Sequence, residues 1–159
     1  MDITFAIITC SDTRGLAQDE AGAALEGLIA AAGWTCADHA VVKDDAPAIA
    51  DAIVHAVDEL RVDIVLTCGG TGLSLRDVTP EATASVCERD VPGIAEAMRA
   101  SSLLKTRRAM LSRARVMQRG RALVINLPGS TKAATENWEA VADQLEHAVS
   151  MSRGGGHER

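Results

Sequence analysis

Short apolar runs alternate with stripes of helical spacing along the first part of the chain. Ile3 to Thr9 is an almost unbroken apolar run closed by the polar Ser11-Asp12-Thr13, which predicts a buried strand and a loop. Leu25, Leu28, Ile29 and Ala32 then recur at helical spacing, and Gly33 follows where a left-handed helix end is needed. Trp34 to Val42 predicts a second strand. Asp45 and Pro47 open another helix, with Ile49, Ile53, Ala56, Val57 and Leu60 on one face, and Val62 to Thr67 returns to a short apolar run. Three strands separated by two helices predict βαβ units, and so a parallel sheet with helices on both faces.

The second half is less regular. Thr79-Pro80-Glu81 starts a helix expected to run from about 80 to 89, and Pro92-Gly93 separates it from another starting near Ile94. Leu103 to Arg113 has no clear period. Ala114 to Gln118 and Arg121 to Leu127 read as strands around Arg119-Gly120, which makes one of them antiparallel to its neighbour. Ser130 caps a last helix carrying Trp138, Val141, Leu145 and Val149 on one face. Residues 1–150 are expected to form one domain, and 151–159, with Gly154-Gly155-Gly156, a flexible C-terminal tail.

Composition narrows the classes. A chain of 159 residues that is 47% hydrophobic suits a single sizeable core. The N-terminus lacks a basic segment followed by a long apolar one, and no run approaches membrane-spanning length, so neither a leader nor a membrane partner is expected. The four Cys show no CxxC pair or zinc spacing and read as thiols of a reducing cytoplasm. The net charge of −6 and the scarcity of aromatic residues argue against a nucleic-acid partner. The charge is uneven, because Ala97 to Thr135 holds nine of the 16 Lys and Arg residues and no acid. That window predicts either a face for a small phosphorylated ligand, or a solvated basic surface or subunit contact with an acidic neighbour.

The candidate chemistry centres on Thr67 to Thr83. Gly69, Gly70 and Gly72 follow an apolar strand, where glycines let the backbone bend and let a phosphate approach main-chain N–H groups. A plain structural turn is the competing reading. The third glycine of the dinucleotide fingerprint and the lysine of the phosphate loop are both missing. Ligands bind at the carboxyl ends of strands in open parallel sheets. If the last strand runs parallel to the third, four loops share that edge: Ser11-Asp12, Asp44-Asp45, Gly69 to Asp77, and Asn126 to Ser130. Carboxylates beside a phosphate-sized loop suit Mg²⁺ held with a nucleotide. Taken singly, Asp45 reads as a helix cap and Asp12 as a turn former.

Gly69-Gly-Thr-Gly72, Arg76-Asp-Val-Thr-Pro-Glu-Ala-Thr83, Pro92-Gly93, Met110-Leu-Ser-Arg113 and Ile125-Asn-Leu-Pro-Gly129, with Ser11-Asp12 and Asp44, resemble the molybdopterin adenylyltransferases and their paralogues in molybdenum cofactor biosynthesis. The resemblance spans Thr4 to about Val149. It departs at Lys43 and Leu75, where the family commonly has proline, and at Met117, where it has glycine. It implies a three-layer α/β/α sandwich with a mostly parallel, mixed five-stranded sheet, and a homotrimer. The implied activity is Mg²⁺-dependent transfer of AMP from ATP to molybdopterin, and the implied downstream partner is a molybdenum-insertion enzyme.

Carried over residue by residue, the resemblance makes Asp44 and Asp77 the catalytic and Mg²⁺-holding pair. It assigns Gly69, Gly70, Thr71 and Gly72 to phosphate. Ser11, Asp12, Ser102, Ser112, Asn126, Pro128 and Gly129 would contact the pterin compound or the nucleotide. A non-catalytic paralogue that carries or sequesters molybdopterin is the alternative. A domain of the metal-insertion type is disfavoured by the short chain.

Overall fold

The computed structural model describes residues 1–155. Its elements are β1 (Thr4–Cys10), α1 (Glu20–Ala31), β2 (Thr35–Val42), α2 (Ala46–Val54), β3 (Ile64–Cys68), α3 (Thr79–Val86), β4 (Arg89–Asp90), α4 (Pro92–Leu103), β5 (Val116–Arg119), β6 (Ala122–Leu127) and α5 (Thr131–Ser152). The strands form one sheet in the order β2-β1-β3-β6-β5-β4. β2, β1, β3 and β6 are mutually parallel, and β5 and β4 continue antiparallel.

Alternation along the strands makes the three layers, since successive side chains leave on opposite faces. Phe5, Ile7, Ile64, Leu66, Leu123 and Ile125 pack with Leu25 and Ile29 of α1, Met98 of α4, and Trp138, Val141 and Leu145 of α5. Ala6, Ile8, Val65 and Val124 point the other way, against Ile49 and Ile53 of α2 and Ala82 of α3. Phe5, Trp34 and Trp138 join rings at centroid distances of 5.6, 5.7 and 6.1 Å.

The sheet has six strands rather than the five expected. The addition is β4, whose Arg89 and Asp90 pair with Gln118 and Met117. Two exposed charged residues carry no apolar alternation, and charge is a common device for blunting a sheet edge. β4 also shortens the preceding helix, because Cys87 is already extended, at φ −121° and ψ 146°. α4 begins at Pro92 itself, a residue suited to a first helical position. The unassigned 103–113 stretch is the end of α4 followed by a 3-10 turn, Arg107–Leu111.

Gly33, at φ +81°, closes α1 as its place in the sequence predicts, donating to Ala30 O at 3.0 Å. At the hinge between β5 and β6, Gly120 has φ +56°, and the first central residue of a two-residue turn alone takes the left-handed value. The expected tail boundary at 151 falls inside the last turn of α5. Gly154, at φ +90°, and Gly155 return N–H bonds to Met151 O and Ser150 O, and 156–159 lie outside the described residues. Among the described residues no helix is long and apolar enough to cross a membrane.

Candidate functional site

Because β2, β1, β3 and β6 run in one direction, their carboxyl ends deliver the four loops to one edge. Backbone bonds lace them together: Ser11 N donates to Val42 O at 2.8 Å, and Gly69 N to Leu127 O at 3.0 Å. Gly69 and Gly70 both sit at positive φ, +94° and +71°. A Cβ on Gly69 would lie 2.9 Å from Cys10 O, and one on Gly70 would lie 2.2 Å from Thr79 Oγ1. Glycine is therefore demanded twice, by conformation and by closeness. The buried Thr79 hydroxyl donates to Gly69 O at 2.9 Å, and Thr79 N donates to Gly70 O at 3.2 Å, so the start of α3 is pinned under the loop.

Two cavities flank this loop. One, of about 290 Å³, is lined by Thr71, Gly72, Ser102, Ser112 and Pro128, five of the expected contact residues. Arg108 and Asn137 join them there. The other, of about 470 Å³, is lined by Ser11, Asp12, Asp44, Gly129, Ser130 and Arg14. Asn126 reaches neither. It is fully buried, its amide donates to Thr67 and Thr83 hydroxyls at 3.0 Å, and its carbonyl accepts from Arg115 N at 3.1 Å. In place of the expected ligand contact it anchors β6 beneath the loop, because every polar atom is already engaged. A larger cavity, about 660 Å³, lies at the opposite edge of the sheet, where Arg119 and Arg153 are already paired with Asp58 and Asp63.

The carboxylates converge from two sides. Asp12 accepts from Asp44 N at 3.0 Å and from Arg76 Nε at 3.1 Å, and the Arg76 guanidinium holds its carboxyl below the usual range. Asp44 Oδ1 lies 3.5 Å from where a Cβ on Gly70 would stand, and Asp77 Oδ2 lies 2.9 Å from the equivalent point on Gly72. Burial, then the charges of Asp12 and Asp77, push the Asp44 carboxyl up. Among the described residues no cluster of three or more metal-ligating side chains is gathered. Two carboxylates facing one loop fit Mg²⁺, which keeps several waters and takes its other ligands from substrate phosphates.

The raised Asp44 pKa has a stability consequence with a definite sign. The native state holds this proton to higher pH than the unfolded chain, so stability falls as pH rises from the ordinary Asp value of about 3.9 through the raised one. Without ligand, Asp44→Asn is expected to melt at a higher temperature than the unmodified protein at pH 7, and the gap should close below about pH 3, where both forms are neutral. Equal melting temperatures at pH 7 would contradict the strain.

The acid-free window is acid-free only along the sequence. Lys105, Arg113, Arg115 and Arg119 meet Glu136, Glu81, Asp90 and Asp58, all from outside it, and Arg99 donates to Ala114 O at 2.8 Å. Arg108 remains at a cavity wall and Lys132 is exposed in the first turn of α5. Arg76 bonds Asp12, and Arg113 turns to the backbone of the glycine loop, so neither is aimed at open space. Sequence reasoning missed Arg14 and Asn137 as lining residues, had Ser130 only as a loop end and helix cap, and left Arg108 undistinguished within the basic window. Asn137 lies on the buried face of α5 at an otherwise apolar position, a departure from pattern that was the one available signal.

The sequence profile of the family described as "probable molybdopterin binding domain" matches residues 6–147. The molybdopterin adenylyltransferase of Helicobacter pylori is 35% identical over 96% of this chain and 89% of its own. That of Escherichia coli K12 is 37% identical over 89% and 74%. Among solved structures, the molybdopterin biosynthesis enzyme MoaB of Thermus thermophilus superposes with a TM-score of 0.88 at 40% identity, covering 98% of this chain and 99% of that one.

Proposed function

Since the chain belongs to the molybdopterin-binding family of molybdenum cofactor biosynthesis, we propose that it is a molybdopterin adenylyltransferase, using ATP and Mg²⁺ in the cytoplasm. The observation that carries this reading is the glycine loop set between two cavities, with Asp44 and Asp77 beside it. Two anionic substrates need two adjoining pockets and a shared phosphate seat. In the reaction a terminal phosphate oxygen of molybdopterin attacks the α-phosphorus of ATP, a new P–O bond forms in line, and the bond to the β-bridging oxygen breaks to release pyrophosphate. Little covalent chemistry falls to the protein, so its contribution is positioning and charge neutralisation. The loop glycines let the backbone close on phosphate, the start of α3 places positive dipole nearby, and Asp44 and Asp77 would hold Mg²⁺. That ion supplies charge neutralisation on the phosphates.

The test is pyrophosphate release from MgATP by the purified protein, with and without molybdopterin. Release only with molybdopterin supports the transferase. Tight binding of molybdopterin with no release would assign the carrier reading instead. The same proposal includes a homotrimer and a molybdenum-insertion enzyme as recipient of the product. Leu103, Leu104, Met110 and Leu111 are exposed on one stretch, Leu104 at 89%, which suits a subunit contact. Sedimentation showing a monomer at micromolar concentration would contradict the trimer.

A further inference from the structure

Resting on that reading, we infer that Arg113 is a positioning residue, a guanidinium clasp that closes the base of the loop carrying Asp77. Its side-on edge spans two carbonyls from opposite feet of the loop. Nε donates to Gly72 O and Nη2 to Asp77 O, both at 2.7 Å. Its own backbone N–H donates to Thr71 O at 2.8 Å, and Nη1 pairs with Glu81 in the first turn of α3. One residue therefore contacts the glycine loop twice, the residue bearing the carboxylate once, and the helix start once.

Between those feet the chain makes an outward excursion. Leu73, Ser74, Leu75 and Arg76 are all exposed, Leu75 at 99%. Its internal bonds are local: Asp77 N to Ser74 O at 2.9 Å, Ser74 N to Asp77 Oδ2 at 3.1 Å, and Arg76 N to Ser74 Oγ at 3.2 Å. These shape the turn but do not fix it relative to the glycines. The Arg76 pair with Asp12 ties its tip to the β1 loop, across the site. Thr79 holds Gly69 and Gly70 at the start of α3, and the guanidinium of Arg113 adds the direct bridge between Gly72 and Asp77, beside the 290 Å³ cavity that Leu111 and Ser112 help to line. A reacting group held even an ångström out of place loses much of its rate. Lysine cannot replace the clasp, since a point ammonium lacks the planar fork that spans two carbonyls.

The experiment compares the full-length protein with Arg113→Lys, Asp77→Asn and the double variant, by amide hydrogen exchange and by pyrophosphate release with kcat and KM separated. In Arg113→Lys, the Ser74 and Asp77 amides are expected to exchange at least about tenfold faster while the core strands keep their protection. The same variant should lose roughly 10- to 100-fold in kcat with KM for ATP within about threefold. Because Arg113 acts through Asp77, the double variant should be no slower than Asp77→Asn alone. Unchanged exchange at those two amides, or losses that simply add in the double variant, would overturn the clasp. If the unmodified protein releases no pyrophosphate, the adenylyl-transfer reading fails by itself, and the exchange measurement still decides the clasp.

Discussion

Asp77→Asn should lower turnover at least ~10²-fold while leaving the fold intact, the scale expected when a charge that orients a metal and its phosphates is removed. The substitution isolates charge from shape. Asp77 accepts from Ser74 N through a single carboxylate oxygen, and the asparagine carbonyl can accept the same bond, so the turn is retained. What disappears is the negative charge facing Asp44 across the glycine loop. Single-turnover pyrophosphate release, together with an unchanged melting temperature, checks both halves. A variant with near-normal turnover would remove Asp77 from the mechanism. Asp44→Asn should lose activity similarly, although it stabilises the ligand-free protein. Asp45 offers no rescue, because it is exposed and its carboxylate caps α2 through Ala48 N at 3.0 Å.

His39→Ala should cost roughly 3–5 kcal/mol of stability, the usual penalty for leaving a buried charge without its partner. Asp19 is 2% exposed, and its carboxylate accepts from Thr9 Oγ1 at 2.5 Å and Gly22 N at 3.0 Å. His39 Nε2 lies 2.6 Å from it, and Nδ1 lies 2.7 Å from Glu26. The ring bridges the carboxylates of Asp19 and Glu26, so the cluster ties β2 to the start and the middle of α1 and, through Thr9, to β1. No room is left for rearrangement, since a Cβ on Gly22 would fall 2.2 Å from both Asp19 Oδ2 and His39 Nε2. Urea unfolding measures the cost. A loss under about 1 kcal/mol would mean that water reaches Asp19 and that the pair behaves as a surface one.

The parallel half of the fold was legible because Ile3 to Thr9 and Val62 to Thr67 are buried on both faces and read as continuous apolar runs. β4 was not, because Arg89 and Asp90 are specified by pairing with β5 and not by a pattern of their own. The Asp19–His39–Glu26 cluster was invisible for a related reason, its members being separated by up to 20 residues and joined only by packing. Local sequence put the glycine loop and both aspartates at one sheet edge, and that is where the structure has them, because each follows directly on a strand end or the loop itself. Four cations of the basic window are taken up by acids that one-dimensional charge counting cannot place, since Glu136, Glu81, Asp90 and Asp58 fold back onto Lys105, Arg113, Arg115 and Arg119. Asn126 was misread in role because its motif marks an anchor as plainly as a ligand contact.

The aromatic trio has a consequence for spectroscopy. Phe5 is the only phenylalanine, Trp34 and Trp138 the only tryptophans, and tyrosine is absent, so the entire near-ultraviolet signal arises from one cluster on the α1–α5 side of the sheet. Neither tryptophan lines either cavity beside the glycine loop. Intrinsic emission will therefore follow global unfolding faithfully and stay nearly silent during ligand titrations. A fluorescent reporter for the site has to be introduced, and the exposed Leu75, at the tip of the loop that Arg113 closes, is the position from which it would see binding.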